Sequence, residues 1–410
     1  MKNRELLFIT GCFPHDKQAY YLENSKNCYS LASDVLSWRI IEGLDKCYAN
    51  KFRVFSCPFV PTFPIDYKKP LINSYEWSHN DMEKRDKVIG CINIKYLAIY
   101  DKSRRLKKEI MKWINADNGN RHILFYSNDI SFMRIVESLK KKYNDLKLYV
   151  LITDLNEFDS DPIVPTNIKE FIKRKKYDIR INNVYHNMEF IDGFILLAER
   201  MKDFINIGKR PYIICEGICN SDVPYLPLKD NSGPFRIVYS GNLHQRYGIL
   251  NVAKAVGELG SSFELFVCGD GDAKSKLIDI TKKYTNVRFL GMLPNDKVIA
   301  LQQSADLLVN SMPNFGRHTE LSFPSKLMEY MVQGRPVVCH KVAGIPNEYD
   351  DYLLYFDNDS IEAIKKKLTE IKCMPFDVRK NIGEQNRRFI ISRKNQFVQS
   401  KRIIEFIMRN

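Results

Sequence analysis

Residues 235–272 read FRIVYSGNLHQRYGILNVAKAVGELGSSFELFVCGDGD, an apolar run, a glycine-bearing turn, an amphipathic stretch and a second apolar run. That order decides the fold class. Arg236–Ser240 is predicted as a strand, Leu250–Leu259 as a helix and Glu264–Cys268 as the next strand. Downstream, helices over Ala273–Tyr284, Asp296–Ser304 and Ser325–Gln333 alternate with strands over Val287–Leu290, Leu307–Asn310 and Pro336–His340. Strands separated by helices require crossover connections, and therefore a parallel sheet.

The first half has the same grammar. Strands are predicted over Leu6–Thr10, Phe52–Cys57, His122–Ser127, Leu146–Ile152 and Gly193–Ala198, with a helix over Ser30–Leu44. Pro58–Ile94, rich in Pro, Tyr and Asn, reads as a long excursion beside a binding cleft. The expected organisation is an α/β domain over 1–225, a polar turn-rich linker over 226–234 (LPLKDNSGP) and a second α/β domain over 235–381. A final basic helix over 382–410 is free to pack on either domain, the first included. Such sheets bind ligands beyond the carboxyl ends of their strands, so two facing sheets form a cleft where a donor and an acceptor meet.

Composition narrows the functional classes. The 410 residues are 44% hydrophobic and 12% aromatic, enough for large packed cores. No apolar run approaches the roughly 18 residues of a membrane span, and MKNRE is too short for a secretory signal, so a cytoplasmic protein is expected. The ten cysteines lack short paired spacings, Cys215 and Cys219 standing four apart, and read as buried thiols rather than metal ligands. The net charge of +14 has no finger spacing or aromatic–basic RNA motif beside it, so nucleic acid is not an expected partner. Runs such as Lys102–Lys108, Lys140–Lys142 and Lys173–Lys176 are first of all solvated helix faces. A peripheral contact with an anionic membrane on its cytoplasmic face is the better functional reading of the surplus.

The chemistry concentrates in FPSKLMEYMVQGRPVV, residues 323–338. Pro324 suits a first helical turn, Gly334 a C-terminal cap, and Pro336 the start of a strand. Between them Ser325, Glu329 and Gln333 recur every fourth residue beside Lys326, while Leu327, Met328 and Met331 fall on the other side. Free N–H groups at the helix start and the Lys326 ammonium suit a diphosphate, and Glu329, a turn deeper, suits the hydroxyls of a ribose.

This segment resembles the donor-site signature of the family-4 retaining glycosyltransferases of the GT-B fold, especially bacterial enzymes of capsular and other surface polysaccharides. Pro324, Ser325, Lys326, Glu329, Tyr330 and Met331 stand as PSK-x-x-EYM, ahead of a Gly-x-Pro-Val-Val strand. The resemblance covers nearly the whole chain and is strongest over Arg236–Val342. It implies two Rossmann-like domains and transfer of a sugar from a nucleotide-diphosphate sugar, with retention of configuration and no metal or other cofactor. A glycan or lipid-linked glycan is the acceptor it implies. By the same resemblance Gly11 covers the donor phosphates, Gly241 and Asn242 lie in the diphosphate loop, and Gly291, Met292 and Leu293 hold the nucleobase. Asp154, in LITDLNEF, stands where the family places an acid at the cleft, with Glu157 ranked below it.

The chain departs from the family pattern at several positions. Leu321 occupies the first of the family's two Glu positions, with Glu320 one residue away as its candidate substitute. Asn242 and Tyr247 stand where the loop usually offers Arg and Lys, and Arg246 is the candidate for the missing charge. These departures leave an alternative open, a non-catalytic nucleotide-sugar-binding partner of a polysaccharide assembly complex. VCGDGD at 267–272 lacks the third glycine of a dinucleotide fingerprint, and Asp159-Ser160-Asp161 imitates a metal site while lying in a polar loop. Glu199 reads as a helix-start charge and His318 as a surface loop residue near the donor helix.

Overall fold

A computed structural model describes residues 4–26, 31–48, 51–80, 85–116, 119–155, 167–230, 233–314 and 316–410. It divides into unit 1, Met1–Glu216 with Gln396–Asn410, and unit 2, Gly217–Asn395. Glu157 and Asp159–Asp161 lie outside the described residues.

Unit 1 contains β1 (Arg4–Thr10), β2 (Phe52–Ser56), β3 (Leu71–Ile72), β4 (Tyr75–Trp77), β5 (Asp86–Val88), β6 (Cys91–Ile92), β7 (Asn120–Tyr126), β8 (Lys147–Ile152), β9 (Gly193–Leu196) and β10 (Tyr212–Ile214). Eight of these form one sheet in the order β10-β9-β8-β7-β1-β2-β5-β4, and β3 and β6 form a separate antiparallel ribbon. Among the described residues only β4 runs antiparallel within the large sheet. Leu6, Leu7, Phe8 and Ile9 of β1 are all fully buried, as expected of a strand covered on both faces, and hence apolar without alternation. The helix Gln396–Arg409 belongs to this unit. It lies along the helix Leu31–Tyr48, with Gly43 so close to the Gln396 carbonyl that a Cβ would meet it at 2.1 Å.

Unit 2 contains β11 (Phe235–Ser240), β12 (Phe263–Cys268), β13 (Val287–Phe289), β14 (Leu307–Asn310), β15 (Val337–His340) and β16 (Leu354–Phe356). All are parallel, in the order β13-β12-β11-β14-β15-β16. That is the doubly wound 3-2-1-4-5-6 arrangement, whose ligand crevice opens where the order reverses, between β11 and β14. Alternate residues of β11 feed two cores. Ile237 and Tyr239 pack with Val252, Val256 and Leu368, while Val238 packs with Leu327, Met331 and Phe389.

Two expected boundaries change. Stretch 226–234 does not bridge the units: Arg335, fully buried, donates to the Leu226 carbonyl at 2.8 Å, and Gln303 to that of Pro224 at 2.7 Å. A buried guanidinium needs carbonyl partners, and this segment supplies one. The chain passes between units at Glu216/Gly217 and at Asn395/Gln396. The single helix expected over 382–410 is two, Phe376–Arg393 and Gln396–Arg409, parted at Lys394, whose buried ammonium pairs with Glu348 at 2.6 Å. Among the described residues no helix is long and apolar enough to cross a membrane.

Candidate functional site

In unit 2 three glycines follow three adjacent strands. Gly241 follows β11, Gly269 follows β12 and Gly291 comes shortly after β13. Their backbones zip together, Gly241 N–H donating to Cys268 C=O at 3.0 Å and Gly269 N–H to Gly291 C=O at 2.9 Å. Glycine is demanded at Gly269, where φ is +141° and a Cβ would lie 1.8 Å from the Gly241 carbonyl oxygen. The first loop is braced from the second. Leu243 N–H donates to Asp270 C=O at 2.9 Å, and the Asp272 carboxylate accepts from Gln245 N–H at 2.8 Å.

The PSK segment rises against these loops. Its helix spans Lys326–Met331, shorter than the predicted Ser325–Gln333, with Leu327, Met328, Tyr330 and Met331 buried as expected. Lys326 brings its Cε to 3.6 Å from the place a Gly241 Cβ would take. Burial raises the Cys268 thiol's pKa and the charge of Lys326 opposes it, which places the same ammonium near the end of β12. Lys326 Nζ donates to Glu329 Oε2 at 2.6 Å, both side chains half-exposed. Cation, carboxylate and glycine loop thus share one edge of the sheet. Gln333, expected on the polar face, is buried and donates to the Glu329 carbonyl at 3.2 Å, because the chain turns back toward β15.

Tyr330 holds this arrangement in place. The β11–β14 register ends at Val238↔Leu308, so Ser240, two residues on, lies where the strands have parted. The buried Tyr330 hydroxyl stands in for the missing strand, accepting from Ser240 N–H at 2.9 Å and donating to Ser240 C=O at 2.9 Å. Gln302 completes the knot with a 2.8 Å bond to Ser240 Oγ. Burial raises the Tyr330 pKa, so the hydroxyl keeps its proton and serves as donor and acceptor together. In the sequence Tyr330 belongs to the motif without an evident task, since a tyrosine among apolar residues reads as core.

The other expected residues fall as follows. Asn242 is exposed beside Gly241, its side-chain oxygen 2.9 Å from where a Gly271 Cβ would lie. Arg246 is exposed on the short helical turn Gln245–Tyr247 of the same loop. Met292 is exposed, and Leu293 partly so, beyond β13 at Gly291. Pro324 is buried and Ser325 exposed at the start of the PSK segment. Leu321 is 3% exposed on the helix Gly316–Leu321, an apolar group packed inside at the family's first carboxylate position, while Glu320 is half-exposed.

Gly11 and Asp154 belong to unit 1. Gly11 ends β1 against Phe59, whose ring lies 2.2 Å from a would-be Cβ, so its missing side chain is taken up by packing. Asp154 is exposed two residues beyond β8. Burial, with the Asp154 charge second, raises the pKa of Tyr126 at the end of β7. Glu199 opens a short helical turn, pairs with Lys202 and accepts from the Tyr212 hydroxyl at 2.9 Å.

Residues 227–389 match the family described as Glycosyl transferases group 1. No curated protein matches the sequence. Among solved structures, sucrose-phosphate synthase from Thermosynechococcus elongatus aligns over 99% of both chains at 14% identity, TM-score 0.64. The lipopolysaccharide outer core galactosyltransferase WaaB, in its apo form, aligns over 99% of both chains at 11% identity, TM-score 0.62. A trehalose-6-phosphate structure from E. coli, bound with UDP-2-fluoro glucose, aligns over 99% of both at 10% identity, TM-score 0.64. The family match thus falls on residues 227–389, in unit 2, within a chain that shares the two-domain GT-B fold of these structures.

Proposed function

We propose that this protein transfers a glycosyl group from a nucleoside-diphosphate sugar to an acceptor hydroxyl, with retention of configuration and without a metal. The observation that carries the reading is the seating of Lys326 against Gly241 at the crevice of a 3-2-1-4-5-6 sheet. Lys326 and Glu329 pair with one another. Donor binding exchanges that pair: the diphosphate takes the ammonium and the ribose hydroxyls take the carboxylate. The exchange costs little, since a half-exposed ion pair contributes only about 0–1 kcal/mol.

As the bond from the anomeric carbon to the diphosphate breaks, negative charge grows on the leaving oxygen. Lys326 stabilises it, helped by Arg246 from the neighbouring loop. The acceptor hydroxyl attacks from the same face and passes its proton to the leaving phosphate. Asp154 of unit 1 is assigned to an acceptor or donor-sugar hydroxyl, and Glu320 to the sugar in place of the family's first Glu. The acceptor we propose is a lipid-linked glycan of surface polysaccharide synthesis, consistent with the +14 net charge.

Calorimetric titration with a panel of nucleoside diphosphates and their sugars, followed by radiolabel transfer to lipid-linked extracts, tests this reading. Lys326→Ala and Glu329→Ala should both lose donor turnover, and undiminished turnover in both removes the site. A second reading rests on Leu321, an apolar side chain where the family places a sugar-binding carboxylate. A non-catalytic nucleotide-sugar-binding partner would titrate normally and transfer nothing.

A further inference from the structure

The long excursion of unit 1 folds into a surface the glycosyl-transfer reading does not use. In the β3–β6 ribbon Ile72 and Cys91 face inward onto Phe13 and Tyr21. Their neighbours Leu71 and Ile92, directly paired across the ribbon, therefore face outward, and both are exposed. Ile94, two residues beyond β6, forms an isolated bridge to Phe63, two residues from Ile65. The chain then turns through Tyr96 into the helix Leu97–Asn115, where Leu97 and Tyr100 are again exposed. Ile65, Tyr96, Leu97 and Tyr100 are 60%, 55%, 54% and 58% exposed, a density of apolar surface that soluble monomers rarely display without use.

Two further features say what covers it. Three exposed lysines are interleaved with these side chains, Lys68, Lys69 and Lys95, with Lys68 donating to the Glu23 carbonyl at 2.7 Å. The nearby carboxylate of Asp101 is consumed by Arg104, Arg105 and the Ile92 N–H. Tyr96 holds φ at +69°, a conformation a bulky side chain avoids, and its ring is the one carried outward there. Aromatic and aliphatic side chains rimmed by lysines match the boundary of an anionic bilayer, where rings sit at headgroup level and ammonium groups meet phosphates.

We propose that the outward face of the β3–β6 ribbon and the first turn of the helix Leu97–Asn115 dock on an anionic phospholipid bilayer. Such a surface holds the protein where a lipid-linked acceptor resides, and in that purpose it rests on the acceptor reading above.

Sedimentation of the full-length protein with phosphatidylcholine vesicles, with and without phosphatidylglycerol, tests it. The protein should pellet with the anionic vesicles and be released by salt. Lys68→Glu/Lys69→Glu/Lys95→Glu should weaken that binding by about fivefold per lysine, on the order of a hundredfold together. Tyr96→Ser/Leu97→Ser/Tyr100→Ser should abolish it, with the melting temperature and nucleotide titration of both variants unchanged. Wild-type protein that stays in the supernatant, or variants that bind as well as wild type, overturns the assignment. So does a concentration-dependent dimer dissolved by the Tyr96/Leu97/Tyr100 substitutions, which would make a second copy the occupant. Vesicle binding without nucleotide binding would sink the donor site and leave this surface standing, and the reverse outcome would do the opposite.

Discussion

Replacing Tyr330 by Phe removes one oxygen from a fully packed position and leaves the ring in place. That oxygen serves both backbone groups of Ser240, each at 2.9 Å, where β14 no longer runs alongside β11. Gln302 is already committed to Ser240 Oγ, and Ser240 is buried, so neither group regains a partner easily. Two net hydrogen bonds and a stranded N–H amount to about 2–3 kcal/mol. For a domain the size of unit 2 that lowers its melting temperature by roughly 4–10 °C. A thermal melt followed by circular dichroism reads this, and a nucleoside diphosphate titration run alongside should weaken as the helix bearing Lys326 loses its anchor. If Tyr330→Phe melts within about 1 °C of wild type, the hydroxyl is not the strut described here.

The two loop glycines should separate cleanly. Gly241→Ala meets only ordinary contacts, so it should fold normally yet bind nucleoside diphosphate less tightly, whereas Gly269→Ala collides with the Gly241 carbonyl and should cut both soluble yield and melting temperature. Calorimetry should show Lys326→Ala weakening diphosphate binding on the order of 10- to 100-fold, the loss of one charge-assisted hydrogen bond. In unit 1, burial pushes the His79 pKa down, but its 2.7 Å bond to Asp86 and the charges of Asp86 and Asp45 carry it above the ordinary value. A raised histidine pKa stabilises the fold fully below the unfolded value of about 6.5 and ceases to do so as pH climbs through the folded one. His79→Gln should therefore cost stability at about pH 6 and much less at about pH 9, and a loss equal at both would show that His79 acts by packing alone.

The alternation of buried strands and amphipathic helices was legible where a strand is an apolar run, as in Leu6–Ile9 and Leu307–Val309, and where a helix shows its period, as in Leu250–Leu259. The predicted strand Arg236–Ser240 and helix Leu250–Leu259 fall within a residue of Phe235–Ser240 and Ile249–Leu259. What escaped was set by contacts remote in sequence. Nothing in LPLKDNSGP announces that a carbonyl at Leu226 serves Arg335, and nothing in 382–410 shows that Lys394 is drawn inward to Glu348. The periodicity that placed Gln333 with Glu329 assumed a helix continuing past Met331, where the chain instead turns. At the candidate site the residue types were readable and their pairing was not. Lys326 and Glu329 were assigned to separate halves of a nucleotide, while the structure joins them.

The helix Gln396–Arg409 has a consequence for biosynthesis. It lies against Leu31–Tyr48, donates from Ser400 to the Ile40 carbonyl and receives at Ile407 the Tyr149 hydroxyl. All of unit 2 is translated before this segment leaves the ribosome. Until then the flank of Leu31–Tyr48 lacks the cover of Gln396–Arg409. The nascent chain is thus exposed to chaperone capture through its earlier half, and stop codons near residue 395 should be felt in the domain that was made first.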